Sequence, residues 1–266
     1  MQTLDKLISD INKRSLKVIG NTLFPENVTI QTEKELLEWI HRKWIQLYMH
    51  PQGRILNVNW LKTYFSSQQL KDAKIYLSGV HVVKNDDATV GGHTKIIHFG
   101  KGKIYASNKS DITDYGNGVI YAGDESIVHA YYSKRIFAKG YAHILVHTTR
   151  PVVRAYQQAV INAESYVTVK AHGCVHITCM NGGNVIAKNN SFVEMYSDEH
   201  RGRVELYDKS IGIVHGTTEA FVADRAVVNA YDSCIVDAED QAIVHVHDNA
   251  KATISCEARI YREVFS

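Results

Sequence analysis

The sequence predicts an all-β solenoid, a parallel two-sheet β-roll, following a small α-helical N-terminal region. Three observations predict it. From Gly116 to Ser255 an eight-residue pattern recurs about 17 times. In each octad the third, fifth and seventh positions are mostly small or apolar, as in Ala159, Ile161, Ala163 and in Cys234, Val236, Ala238. The fifth position is Val or Ile in 14 of the 17 octads. Alternation with period two marks a strand, and a fixed longer period means that like units stack. This pattern speaks of shape and hardly at all of chemistry.

The N-terminal part has a different periodicity. Leu4, Leu7, Ile8 and Ile11 have helical spacing. Thr32 and Glu35 have the spacing of a capping box and open a stronger helix through Leu36, Leu37, Ile40, Trp44, Ile45 and Tyr48, ending near Pro51. Trp60, Leu61 and Tyr64 suggest a third, short helix. Four segments follow: a helical region over 1–72, an irregular strand-and-loop transition over 73–115, the octad solenoid over 116–258 and a C-terminal tail over 259–266. Inward residues fall on even numbers to Val146, on odd numbers from Pro151 to Met195, and on even numbers again from Gly202. One extra residue near Thr148 and three near 197–199 account for both shifts. A one-residue slip within a strand would turn the core row outward, so each insertion is expected to bulge as a loop.

Three inward residues and a turn make a strand of about five residues, about 17 Å long. Two such strands give a coil of about two octads, with a three-sided coil of about three octads as the alternative. Coils about 4.8 Å apart make the octad region a rod of about 40 Å. Asp124, Asp208, Asp224, Asp232, Asp240 and Asp248 open octads and read as turn formers that cap the next backbone amides. A calcium-binding roll would need a Gly-Gly-x-Gly-x-Asp repeat, which is absent. With segments such as Ala230-Tyr231-Asp232-Ser233 and Val246-His247-Asp248-Asn249-Ala250, about half the chain resembles the octapeptide-repeat β-rolls and β-solenoids of bacterial and phage-associated proteins. That resemblance implies a fold class and no particular activity.

Composition narrows the rest. The chain is 266 residues long, 45% hydrophobic, with a formal net charge of +2, as an ordinary folded protein is. That charge is too small to argue by itself for a nucleic-acid or membrane partner. No apolar run approaches the ~20 residues of a membrane span. Asp5 and Asp10 interrupt the apolar residues between Met1 and Leu16, so this stretch does not read as a signal peptide. The four cysteines lie far apart, and Cys179 and Cys234 take inward positions, where Cys acts as a small hydrophobe. Free thiols and a cytoplasmic protein are the expectation.

Outward residues sort onto two faces if alternate octads belong to opposite sheets. One face carries an apolar ladder: Ile127, Val160, Phe192, Ile211, Val227 and Ile243, with His143 and His176 between. Such a row exceeds the scattered exposed hydrophobes of ordinary surfaces. The N-terminal helices, a second subunit or a partner protein would cover it. Along one edge of the same sheet run Tyr131, His147, Tyr196, His215, Tyr231 and His247. Stacked rings would stabilise that edge, or serve as a binding strip for a sugar or protein segment. On the other sheet and its edge Arg135, Lys139, Arg154, Lys170 and Lys188 occupy consecutive coils and could track a polyanion.

No catalytic group, metal site or cofactor site is assigned. His245 and His247 lack a third ligand at matching height, the carboxylates are scattered over different coils and both faces, and there is no phosphate loop or nucleophile triad. The expected function is a non-enzymatic interaction or structural protein, self-associating or binding a protein partner through the apolar face and the Tyr/His edge. A polysaccharide-binding or polysaccharide-acting solenoid is the first alternative, and a nucleic-acid or other polyanion binder the second.

Overall fold

The computed structural model describes residues 3–24, 30–48, 50, 52–148, 150–198 and 200–262. Five short helices precede the roll: α1 (Leu4–Ile19), α2 (Glu33–Arg42), α3 (Trp44–Tyr48), α4 (Val58–Tyr64) and α5 (Ser67–Asp72). Gly20 ends α1 in the left-handed conformation, φ 73°, which glycine adopts without steric cost. The Thr32 hydroxyl accepts the Glu35 amide at 3.2 Å and so starts α2. The helix expected to run on to Tyr48 is interrupted at Lys43 and resumes as α3. Pro51, its expected terminator, lies outside the described residues.

The helices form a core of their own. Leu7, Ile11, Leu36, Leu37, Ile40, Trp44, Leu47 and Leu61 are buried together with Ile75 and Leu77 of the first strand, and Tyr105 packs against them. The helices therefore lie against the outer face of the first coils, where Ile75, Thr89 and Tyr105 stand in register and His41 bonds the Thr89 hydroxyl at 2.7 Å.

Strands β1 (Ile75–Lys84) and β2 (Ala88–Phe99) lie parallel and paired. Beyond β2 the pairing divides. Ala88–Val90 pairs with Ile104–Ala106, and Lys95–His98 pairs with Asp111–Asp114. From there every strand pairs with the next but one. We call sheet A the ladder that continues through Ile127–Ala130 to Arg259–Arg262, and sheet B the ladder from Lys103–Ala106 to Lys251–Ile254. Val119 pairs with Arg135 and Val227 with Ile243, two octads further along in each case, so one coil holds two strands. The three-sided alternative is excluded.

About 12 coils at about 4.8 Å each give a rod near 55 Å, longer than the octads alone imply. The stretch 73–115, expected to be irregular, carries β1, β2 and the strands Lys103–Ala106 and Asp111–Asp114. The expected tail begins with the strand Arg259–Arg262, paired to Ile243–Val246; residues 263–266 lie outside the described ones. The octad pattern is hidden in the early coils because polar residues take inward positions there. Thr94, His98, Ser110 and Asp114 are all buried. His98 Nδ1 lies 2.7 Å from Asp114 Oδ1, and Asp114 also accepts from the Gly116 amide at 2.8 Å and from the Ser133 hydroxyl. Ser133 buries in that coil, while Lys134, on an inward octad position, turns outward.

Both insertions fall where the parity shifts place them. Arg135 pairs with Val152 and His143 with Val160, a step of 17. Gly183 pairs with Gly202 and Phe192 with Ile211, a step of 19. Strands on either side keep their register, so the extra residues are carried in turns on one edge of the roll. Glu199, within the second, lies outside the described residues.

The octad-opening aspartates cap in a different direction from the one expected. Asp124, Asp208, Asp224, Asp232, Asp240 and Asp248 have φ between 52° and 60°, a region Asp tolerates better than most residues. Their carboxylates reach back one coil. Asp224 accepts the Asp208 amide at 2.9 Å, Asp232 the Gly216 amide at 2.9 Å and Asp124 the Asn108 amide at 2.8 Å. Gln157 and Asn189 do the same through side-chain carbonyls. The turns are thus tied coil to coil by hydrogen bonds, many of them charge-assisted.

Candidate functional site

Sheet A presents the apolar ladder outward. Ile127 and Ile211 are exposed at 39% and 44%, and Val160, Phe192, Val227 and Ile243 are half-buried by their neighbours along the ladder. The helices were one candidate cover for this face. They pack instead on Ile75, Leu77 and Tyr105, on the sheet-B side of the first coils, and Arg54 reaches the turn edge beyond, pairing with Asp124 at 2.7 Å. Among the described strand residues between Ile127 and Val246, the only formally charged side chain facing outward from sheet A is Glu194, which accepts the Tyr196 hydroxyl at 2.7 Å. The remaining outward positions include His129, Leu145, Asn162, Thr178, Ile213, Asn229 and His245.

The Tyr/His edge is a stack in two runs. Phe99, Tyr115, Tyr131 and His147 follow at ring-centroid spacings of 5.5, 4.7 and 4.7 Å. Tyr196, His215, Tyr231 and His247 follow at 4.5, 4.8 and 4.3 Å. Glu164 and Met180 separate the runs, and Glu164 accepts from His147 at 2.9 Å. The coil spacing of about 4.8 Å sets these distances, so the rings use their faces on one another. What most of them offer outward is ring edges, which weakens the binding-strip reading. His245 and His247 serve different stacks, His245 with Tyr261 and His247 with Tyr231.

The five cations expected to track a polyanion divide into two groups. Arg135, Arg154 and Lys170 are exposed on the face of sheet B, with Arg154 directly between Phe137 and Lys170 in register. Lys139 and Lys188 sit at the far edge, where Lys188 Nζ lies 5.0 Å from the Tyr207 ring. Burial lowers the pKa of Lys139, opposed by Asp124. A stack absent from the sequence reading also runs along this face: Tyr105, Tyr121 and Phe137, at 5.0 and 4.8 Å, ended by the Arg154 guanidinium at 5.8 Å. The period-two pattern contained it, since these are the sixth positions of successive sheet-B strands.

Turn residues add cations that face-by-face reading of the strands passed over. Lys101, Lys134 and Arg150 line a recess of about 660 Å³ with Tyr115, Tyr132, Asn85 and Asn117. Arg150 also stands 5.0 Å over the Tyr166 ring.

Several chemistries find no support in this geometry. Among the described residues no three His, Cys, Asp or Glu side chains form a group that could hold a metal ion. Ser133, Asp114 and His98 are joined, but the serine bonds the aspartate rather than the imidazole, and all three are buried. The four cysteines are free; burial pushes Cys179 to a pKa of about 12 and Cys234 to about 11, unsuited to thiolate chemistry. Among the described residues no helix is long and apolar enough to cross a membrane. Compared with known protein families, curated proteins and solved structures, the chain shows no match.

Proposed function

We propose that this protein is a non-enzymatic assembly scaffold in which a second copy of the chain packs against the outer face of sheet A. The observation that carries this reading is an eight-strand face, Ile127 to Val246, bearing one formal charge and left uncovered by the chain's own helices. A strip eight coils long and about 17 Å wide buries roughly 600 Å² per partner, the low end for a specific interface. Two copies meeting through the same face form a closed two-fold dimer.

Charge favours the antiparallel arrangement. Residues 101–190 carry ten lysines and arginines against five acids, and residues 191–258 carry five against 13. Parallel rods would set acidic half beside acidic half; antiparallel rods set each beside the basic half. Screening over about 8 Å limits the energy, so this sets direction more than affinity.

The test is sedimentation velocity over a micromolar concentration series. A Phe192→Lys/Ile211→Lys/Val227→Lys triple variant should sediment as a monomer where the parent chain is a dimer, with the thermal transition of the roll retained. A parent chain that stays monomeric throughout, or a variant that dimerises equally well, sinks the reading.

A further inference from the structure

Seven cations gather on one patch of the rod, and none of them has an ionic partner among the described residues. Lys101, Lys103, Lys134, Arg135, Arg150, Arg154 and Lys170 are all exposed. None forms an ion pair among the described residues. Other cations on the roll do: Lys95 pairs with Asp111, Lys109 with Glu125, Arg201 with Glu219 and Arg203 with Glu205. The patch runs from the strand Lys103–Ala106 to the strand Val167–Gly173, four coil steps on sheet B and its neighbouring edge. At about 4.8 Å per step it is about 19 Å long.

We infer that this patch binds single-stranded nucleic acid. Lysine and arginine side chains are donors without acceptor capacity, which suits phosphodiester oxygens. Sugar hydroxyls also need acceptors, and no carboxylate lines the recess formed by Lys101, Lys134 and Arg150. The same recess holds a ring with free faces: Tyr132 is 57% exposed and stacks on no other ring among the described residues. Its neighbour Tyr115 is already stacked between Phe99 and Tyr131. An unpaired base can lie on Tyr132 while flanking phosphates meet Lys134, Arg135 and Arg150, the pairing of basic track and stacking platform by which single strands are held. Bases already stacked inside a duplex cannot reach that ring. Two guanidiniums are held in place by rings of their own, Arg150 over Tyr166 and Arg154 over Phe137, so less side-chain freedom is lost on binding. The patch lies on sheet B and its edge, away from the outer face of sheet A, so it does not depend on the assembly reading.

Fluorescence anisotropy of the full chain with a labelled 15-nucleotide oligo-dT, across a salt series, tests the inference. Binding should weaken as salt rises, with a slope of log K against log salt near −3, from about four neutralised phosphates. Lys134→Ala/Arg154→Ala should reduce that slope by about 1.4. Tyr132→Ala should weaken binding roughly 5- to 100-fold and leave the slope unchanged. Arg201→Ala/Arg225→Ala, in the acidic half, is the folded control and should bind as the parent chain does. No binding at low salt, equal loss in the control, an unaffected Tyr132→Ala variant, or better competition by a duplex or a sulfated polysaccharide than by unlabelled oligo-dT would each overturn it.

Discussion

Sheets A and B are the same on the inside and different on the outside. Val228 in sheet A and Val236 in sheet B both fill the centre of the roll with no exposure. Outside, between Ile127 and Val246, sheet A shows mainly Ile, Val, Phe and His with a single carboxylate, Glu194. Sheet B shows Arg135, Arg154 and Lys170 in its first half and Glu205, Glu219 and Asp237 in its second. Folding requires only the inward pattern, which the two sheets share. The outward contrast is therefore not explained by the roll itself.

The largest effect erases the contrast. Val228→Asp and Val236→Asp should cost the same, several kcal/mol each, because either buries an unpaired carboxylate in a core one side chain deep. Both should abolish the cooperative transition seen by circular dichroism, against a typical stability of about 5–15 kcal/mol. A variant in one sheet that melts like the parent chain would show that the two interiors are not equivalent.

Next in size is the polar core of the early coils. Asp114→Ala leaves His98 without its acidic partner and Ser133 without its acceptor, and should lower stability in urea titrations by about 3 kcal/mol. Asp224→Ala, which removes one inter-coil cap at the exposed edge, should cost only about 1 kcal/mol. Equal costs would mean that the buried pair contributes no more than an exposed cap.

A matched pair of surface changes sharpens the contrast directly. Ile211 on sheet A and Ile235 on sheet B are exposed at 44% and 52%. Lysine at either should change monomer stability by less than about 0.5 kcal/mol. Only Ile211→Lys should weaken the proposed dimer, by about tenfold or more in sedimentation equilibrium. Equal effects would remove the distinction between the faces.

The smallest effect is a pH dependence carried by sheet A. Desolvation, followed by the charge of His129, lowers the pKa of His143 below 6.5, and the Asn162 amide donates to its Nε2 at 2.7 Å. A lowered histidine pKa means that the unfolded chain binds the proton more readily, so stability falls as pH drops below about 6.5. His41 is shifted the same way by burial. Melting temperatures between pH 7.5 and 5.5 should fall, and His143→Gln should flatten part of that slope. An unchanged slope would mean that His143 is not involved.

Much of the fold was legible because its signal is redundant: Val or Ile recurs at the fifth octad position, and one failure such as Gly212 does not hide the period. The early coils were not legible, since Thr94, His98, Ser110 and Asp114 stand where Ala and Val stand later, and for Thr94, His98 and Asp114 hydrogen bonds replace hydrophobicity there. The split between apolar and polar faces could be read by parity alone. The recess of Lys101, Lys134 and Arg150 could not, because turn residues have no parity and their grouping follows from the coil step. The direction of the aspartate caps was equally hidden, since a partner one whole coil back is invisible to local turn rules.

Those caps make the rod's length a matter of whole coils. Excising residues 224–239 would join Ala223 to Asp240, deliver the Asp240 carboxylate to the Asp208 amide and shorten the molecule by about 4.8 Å. Every later residue would keep its own side of the roll. Excising a single octad, 224–231, would preserve the octad text and still send each later strand to the opposite sheet, splicing a charged half-face onto a greasy one. In this chain the octad is the unit of spelling, while a pair of octads is the smallest piece that can be gained or lost without mixing its two surfaces.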